Sequence, residues 1–224
     1  MKKCVLILAR GGSKSVPRKN VVDLNGRPLI TYAIRAGKES GIDDVWVSTE
    51  DSEIEEVSKK EGALIHERAE YLAQDLSTDL ECFRDFFEKH KEYDYAIQLR
   101  ATSPQITSEI IQDAVDKFEK DYKDVDALRS VVSLDKSPFK SWFIEDNVLI
   151  PVIPNNSLHS SPRQILRPAY FQNACIDIVK RETVLKKNSM VGDRCLSYVM
   201  EDVYNIDIDT LYDLHKARNN FEEK

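Results

Sequence analysis

The feature that most narrows the fold of this chain is an alternation between two kinds of pattern. Short, nearly continuous apolar runs at residues 3–9, 44–48, 64–66, 95–99 and 127–133 are separated by amphipathic stretches at 28–39, 51–61, 79–92 and 108–121. A strand covered on both faces reads as an unbroken apolar run, whereas a helix with one buried side repeats its apolar residues every three or four positions. The helical stretches carry their own signals. Pro28 suits a first helical turn, Asp51 or Ser52 suits a cap, Gly62 suits the residue just past an end, and Ile111, Val115 and Phe118 share one face. The pattern predicts an α/β fold with a mostly parallel sheet between two helical layers.

From residue 134 to 168 the alternation stops. Five prolines, an Asn-Asn-Ser stretch and only short apolar pieces fill this segment, too long for a plain connection. It reads as a lid or as an excursion that packs on a partner subunit. The alternation then resumes with a strand at 174–179, a helical turn or two at 182–187, a strand at 196–200 and a helix at 210–219. The expected organisation is one domain over residues 1–224, with 134–170 as an excursion within it.

Composition removes several classes of function. Thirty-two Lys and Arg face 39 Asp and Glu, for a net charge of −7, which argues against general nucleic-acid binding. The apolar run at 5–9 is far too short for a membrane span. Four scattered cysteines (Cys4, Cys82, Cys175, Cys195) show no C-x-x-C pair and no dense disulfide pattern, as expected of a reduced, cytoplasmic protein. The four histidines show no zinc-ligand spacing.

Against this acidic background, residues 10–20 carry Arg10, Lys14, Arg18 and Lys19 and no acid. They follow the first strand, and ligands of open parallel sheets sit beyond the strands' C-terminal ends. Gly11 and Gly12 permit positive φ and a close approach of backbone N–H groups to an anion, and Ser13 adds a hydroxyl. A triphosphate fits that inventory, although neither G-x-x-x-x-G-K-[ST] nor G-x-G-x-x-G is present. A solvated basic loop is the alternative.

Near the other end, Ile206-Asp207-Ile208-Asp209-Thr210 alternates apolar and polar residues, which puts both carboxylates on one face and both isoleucines on the other. Adjacent carboxylates repel unless a cation or solvent separates them. A hard ion such as Mg²⁺ is satisfied by one or two protein carboxylates plus water and phosphate oxygens. The alternative is that Asp209 caps the following helix while Asp207 is solvated. Asp213 reads as a surface or cap residue.

The segment Ala9-Arg10-x-Gly12-Ser13-Lys14-x-x-Pro17-x-Lys19-Asn20 resembles the opening motif of the CMP-sialic acid synthetases, the acylneuraminate cytidylyltransferases. The likeness continues with Arg68 and Leu72-Ala73-Gln74-Asp75, similar to R-P-x-x-L-A-x-D. It extends through Arg100-Ala101-Thr102-Ser103-Pro104, similar to [QR]-P-T-S-P, through Pro162-Arg163-Gln164, and through Ile206-Asp207-Ile208-Asp209-Thr210. The resemblance implies a three-layer, Rossmann-like nucleotidyltransferase that joins CTP to an acidic 2-keto sugar, releases pyrophosphate and works as a homodimer. Arg10, Gly12, Ser13, Lys14, Lys19, Asn20, Arg68 and Ser77 would bind the nucleotide, and Asp207 and Asp209 would hold Mg²⁺. Lys19, Arg10 and Asp209 would serve the chemistry. Arg100, Thr102, Ser103, Lys140, Arg163, Gln164 and Asp177 would face the sugar.

The chain departs from the family in three places. The family's Y-R-P-N-G-A-I-Y is here Tyr170-Phe171-Gln172-Asn173-Ala174-Cys175-Ile176-Asp177, and Ala69 replaces a proline. Phe171 in place of an arginine, Asp177 in place of a tyrosine and the replacement of an aromatic pair around Met190 and Val191 imply a sugar whose far end differs from N-acetylneuraminic acid. A CMP-3-deoxy-octulosonate-type synthetase, a D-x-D glycosyltransferase and a non-catalytic nucleotide-binding protein remain as other readings.

Overall fold

The computed structural model describes residues 1–154, 157–201 and 207–220. Strand β1 (Lys3–Leu8) leads through the basic loop into a small hairpin of β2 (Asp23–Leu24) and β3 (Arg27–Pro28), then helix α1 (Ile30–Glu39). There follow β4 (Val45–Thr49), α2 (Ser52–Lys60), β5 (Leu64–Glu67), α3 (Asp79–Lys89), β6 (Tyr95–Leu99), α4 (Ser108–Lys120) and β7 (Ala127–Ser133). The chain ends with β8 (Trp142–Glu145), β9 (Val148–Pro151), β10 (Tyr170–Lys180), α5 (Arg181–Lys187), β11 (Cys195–Met200) and α6 (Leu211–Asn220).

Seven strands form one sheet in the order β11-β7-β10-β6-β1-β4-β5. Neighbours are parallel except at β10, which runs antiparallel to both β6 and β7. The chain leaves β1 on one side through β4 and β5, then returns on the other side to β6. That reversal opens a crevice at the C-terminal ends of the strands, where open α/β sheets bind ligands.

The period of two along β1 feeds two cores. Val5 and Ile7 pack with Ile30, Ile34, Ile54, Ile111 and Phe118 of α1, α2 and α4. Cys4 and Leu6 pack with Phe83, Phe86 and Phe87 of α3 and Val184 of α5. These residues are essentially inaccessible to water, and each such aliphatic or aromatic side chain stabilises the fold by about 1.5–3 kcal/mol. The expected α/β/α layering is therefore present. A third, smaller cluster joins Val16 of the basic loop to Leu24, Leu29, Tyr32, Ile208, Leu214 and Ala217. It fastens α6, and the aspartate segment before it, onto the loop. Among the described residues no helix is long and apolar enough to cross a membrane.

Three boundaries differ from the sequence pattern for identifiable reasons. Pro28 does not open a helix. It pairs with Asp23 in a hairpin turned by Asn25 (φ 51°) and Gly26 (φ 86°), an Asn-Gly pair suited to two positive-φ positions. Helix α3 stops at Lys89 instead of residue 92, because His90 turns away (φ −115°, ψ 72°) with its ring against Trp46 and Phe86. Strand β10 starts four residues earlier than its apolar pattern. Tyr170 and Phe171 pair with Ser133 and Val132, and the register breaks between Gln172 and Asp177. Ala174 sits in that break at φ 52°, a left-handed conformation that costs a Cβ-bearing residue about 1–2 kcal/mol. The family motif places glycine there.

The excursion holds an isolated hairpin, β8 with β9. Its turn uses Asp146 and Asn147, both at positive φ. Ile144 pairs with Leu149 on one face of the hairpin, and Phe143 pairs with Ile150 on the other, beside Val148. Phe143, Ile144, Val148 and Leu149 are 55–74% exposed, so neither face is covered among the described residues.

Beneath the sheet edge, His66 is sandwiched between two partners. Its Nε2 lies 2.8 Å from Asp85 Oδ2, and its Nδ1 lies 3.1 Å from His90 Nε2. Burial holds both imidazoles below their ordinary range. Asp85 offsets part of this for His66 and Glu92 for His90, while Lys89 adds to the lowering. A base whose folded pKa is depressed is protonated first in the unfolded chain. Stability is therefore lost as pH falls below about 6.5 toward the folded value. Thermal denaturation between about pH 7.5 and pH 5 should show Tm falling, with a shallower slope in the double variant His66→Gln/His90→Gln. Equal slopes would show that the pair does not report pH.

Candidate active site

A cleft of about 470 Å³ lies over the switch point. Its walls come from segments that each follow a strand's C-terminal end: the basic loop after β1, Arg68 after β5, Arg100, Ala101 and Thr102 after β6. Ala174 of β10, with Asp207 and Asp209, completes the wall. Of the residues expected at the nucleotide, Arg10, Ser13, Lys14, Lys19, Asn20, Arg68 and Ser77 all line this one space.

The loop's shape has specific causes. Asn20, nearly buried, donates from Nδ2 to the Arg10 carbonyl at 2.9 Å and closes the loop on itself. Arg18 takes a left-handed conformation (φ 56°). Its guanidinium forks onto Asp51 at 2.5 and 2.7 Å and reaches Glu53 at 3.0 Å. Asp51 also caps α2, accepting from Glu53 N and Ile54 N at 3.0 Å each. The hydrogen bonds from Arg18 hold the Asp51 carboxyl down to about 2. One carboxylate thus ties the loop to a helix start, and Lys19 follows directly.

The glycines act otherwise than expected. Neither Gly11 nor Gly12 has positive φ. Gly11 is needed for closeness: an added Cβ would meet Asp51 Oδ2 at 2.4 Å, while its N–H donates to Glu50 Oε1 at 2.7 Å. Gly12 is exposed, has open space where a Cβ would go, and is not part of the cleft wall.

Arg68 is 6% exposed, although it is an arginine at a cleft wall. Its Nη2 donates to Ser48 O at 2.8 Å and its Nε to Ser48 Oγ at 3.2 Å, which anchors it to β4. Ser77 Oγ donates to Tyr71 O and accepts from Gln74 N, both at 3.0 Å. These bonds shape the turn between β5 and α3.

Across the cleft, Lys19 Nζ lies 2.8 Å from Asp209 Oδ1, a pair 190 residues apart in sequence. Asp209 is not a helix cap. That role belongs to Thr210 and Asp213, whose side chains and backbone N–H groups bond reciprocally at 2.7–3.2 Å. Ile208 is fully buried between the two aspartates, and its N–H donates to Thr102 O at 3.0 Å. Ile206, expected on the same face, lies outside the described residues. Burial pushes the Asp207 carboxyl up, a hydrogen bond from Thr102 opposes this, and neighbouring Asp209 adds to the rise. Asp207 Oδ1 is a buried acceptor with no donor among the described residues. Two crowded carboxylates, one with an orphan oxygen, suit a hard cation.

The residues expected at the sugar divide. Arg100 and Thr102 line the cleft, but the Arg100 fork is already engaged by Asp79, with Nη2 2.5 Å from Oδ2 and Nη1 3.4 Å from Oδ1. Ser103 is buried against Cys175 instead of facing the space. Asp177 is 4% exposed under the sheet surface, where Arg129 Nε donates to it at 3.2 Å. Burial still pushes its carboxyl upward. Lys140, Arg163 and Gln164 are exposed on the excursion, and the single chain does not bring them to the cleft. Arg18, Asp51, Asp75 and Asp79 were not among the sequence candidates. Arg18 was visible only as one cation of the basic loop, Asp51 as a helix cap and Asp75 as part of a motif, with nothing to say which partner each would meet.

The cytidylyltransferase family pattern matches residues 4–190, and the chain belongs to that family. It is 33% identical over 205 residues to N-acylneuraminate cytidylyltransferase A of Danio rerio, covering 91% of this chain and 47% of that protein. It is 30% identical over 214 residues to N-acylneuraminate cytidylyltransferase of Streptococcus agalactiae serotype V, covering 94% and 51%. The chain therefore spans about half the length of these relatives. Pseudaminic acid cytidylyltransferase of Campylobacter jejuni, at 29% identity, matches over 97% of this chain and 95% of its own. The fold is similar to that of CMP:2-keto-3-deoxy-manno-octonic acid synthetase complexed with CTP, with TM-score 0.72, 17% identity and 98% of each chain covered.

The Gly11 contact makes a prediction. Gly11→Ala should push Asp51 away from Arg18 and destabilise the protein by about 1–3 kcal/mol, with weaker nucleotide binding. Denaturant titration and calorimetry would measure both. An unchanged midpoint with unchanged affinity would mean that the loop does not depend on this closeness.

Proposed function

We propose that the protein is a cytidylyltransferase that activates an acidic 2-keto sugar of the nonulosonic type, converting CTP and the sugar to CMP-sugar and pyrophosphate. The observation that carries this reading is the pairing of Lys19 with Asp209 at the centre of a cleft lined by Arg10, Lys14, Arg68 and Arg100. Such a concentration of cations in a chain of net charge −7 suits a highly charged anion. The relatives' names support the sugar class.

In this reading the anomeric oxygen of the sugar attacks the α-phosphorus of CTP in line. The P–O bond to the β-phosphate breaks, pyrophosphate leaves, and the hydroxyl proton passes to a carboxylate or to water. The protein contributes mainly position and charge. Arg10, Ser13 and Lys14 hold the triphosphate, and Arg68 and Ser77 stand where the base would lie. Lys19 neutralises the negative charge that grows on the α-phosphate. Asp207 and Asp209 would hold Mg²⁺, which when bound would offset the charge of the triphosphate. The requirement for one or two carboxylates and an orphan oxygen fits these two residues.

The exposed apolar residues on both faces of the β8–β9 hairpin, Phe143, Ile144, Val148 and Leu149, with exposed Ile165 and Phe171, support a homodimer through the excursion. Such a dimer offers a route by which Lys140, Arg163 and Gln164 of one protomer reach the other's cleft.

Pyrophosphate release from CTP should depend on an acidic keto-sugar. A panel of sialic, legionaminic, pseudaminic and 3-deoxy-octulosonic acids would identify the class, and hydrolysis independent of all of them would reject it. Lys19→Ala should raise the barrier by roughly 2–4 kcal/mol, with a smaller effect on CTP affinity. Asp207→Asn and Asp209→Asn should nearly abolish turnover while leaving thermal denaturation in place, and full activity in EDTA would exclude the ion.

Sedimentation at micromolar concentration should give a dimer, and Ile144→Glu should give a folded monomer. A wild-type monomer with full activity would refute the shared site.

A further inference from the structure

The anion that the basic loop holds in the free chain is one of the protein's own. Arg10 Nη1 lies 3.1 Å from Asp75 Oδ1, and Lys14 Nζ pairs with Asp75 Oδ2, so both carboxylate oxygens are engaged by separate cations. The same Arg10 nitrogen reaches the Ala73 carbonyl at 3.5 Å. Lys14 foremost, then Arg10, holds the Asp75 carboxyl below its usual range. Asp75 stands on the turn between β5 and α3, so the contact bridges two walls of the cleft that lie 65 residues apart in sequence. Two oxygens on one centre, each meeting a different cation, is also how a phosphate group would sit there.

The other acid–base pairs of the cleft are built differently. Asp79 begins α3 and is held by Gln98 as well as Arg100. Asp209 belongs to a segment anchored by fully buried Ile208. Asp75 has no such anchor at its neighbour, since Leu76 beside it is 92% exposed. The side chains of Lys14 and Asp75 are 79% and 45% exposed. Ion pairs this accessible contribute little net stability and exchange readily for another anion.

We propose that Asp75 is a place-holding counter-ion: it occupies the phosphate subsite of Arg10 and Lys14 in the free protein and is displaced by the polyphosphate of the nucleotide. This rests on the nucleotide reading above and adds a specificity-determining residue to it. A polyphosphate offers several anionic oxygens and more charge than one carboxylate, so it can take both cations at once. A singly charged anion brings no more charge than the carboxylate it would have to displace. When pyrophosphate forms, the returning carboxylate competes for the same two cations and favours release.

The test is calorimetric titration of inorganic pyrophosphate and of CTP into wild type and Asp75→Asn at low salt, without divalent ions. Asparagine keeps the shape and removes the competing charge. Unit charges about 4 Å apart in a water-like medium interact strongly enough that the variant should bind pyrophosphate roughly fivefold more tightly. The gain should shrink at about 1 M salt, where the screening length is about 3 Å. Asp75→Ala should move in the same direction, and thermal denaturation of both variants should match wild type. Equal or weaker binding by the variants would overturn the proposal, since a carboxylate that merely positions Arg10 and Lys14 would lose affinity on removal. Wild type that binds CTP, with no gain in either variant, removes only the role of Asp75. Absence of CTP and pyrophosphate binding in all three proteins would remove the nucleotide reading as well.

Discussion

The architecture of the site depends on one small apolar cluster. Val16, in the middle of a polar loop, and Ile208, between two aspartates, are both excluded from water in the same group as Leu24, Leu29, Tyr32, Leu214 and Ala217. Val16 follows Ser15, and Ile208 stands between Asp207 and Asp209; with the two apolar side chains buried, these polar neighbours line the cleft. Lys19 and Asp209 therefore meet at 2.8 Å across 190 residues of chain. Neither charge would hold the other there alone, because a partly exposed ion pair is worth about 0–1 kcal/mol, while each buried aliphatic contributes more. The apolar cluster sets the geometry and the charges use it.

A second constraint is charge balance. The cleft concentrates cations that would repel one another, and the fold places an acid against most of them: Asp75 against Arg10 and Lys14, Asp209 against Lys19, Asp79 against Arg100. Arg18 is turned out of the cleft altogether and spent on Asp51, where it locks the loop to the start of α2. Arg68 is held instead by the backbone and hydroxyl of Ser48. The free protein is thus locally neutralised without a ligand, although its loop alone is strongly basic.

Much of this was legible in the chain. The strands at 95–99 and 127–133 match the sequence pattern residue for residue, the first because a strand buried on both faces leaves a nearly continuous apolar run. The cap at Asp51 and the left-handed Gly62 after α2 were readable from local chemistry. The early start of β10 was not, since Tyr170 and Phe171 are exposed and their pairing with β7 is a long-range event. Gly11 was read as permitting positive φ and a close backbone approach to an anion, whereas in the structure it admits Asp51 at a distance that no Cβ allows. The sugar-facing positions were least legible. Asp177 turned out to be committed to Arg129, a partner 48 residues away on the adjacent strand.

By itself, then, the sequence determined the layers, the order of strand and helix, and the cationic loop at the end of the first strand. These follow from periodicity and from residue types acting over a few positions. It also determined the paired aspartates on one side of an extended segment, because alternation is a local property. Only the tertiary structure decided which charges meet. The pairings of Arg18 with Asp51, Lys14 with Asp75, Arg100 with Asp79 and Lys19 with Asp209 depend on how the strands are ordered in the sheet and on where the cluster around Val16 and Ile208 closes. An ion pair requires two groups within a few ångströms, and sequence distance carries no information about that separation once the chain has crossed the sheet.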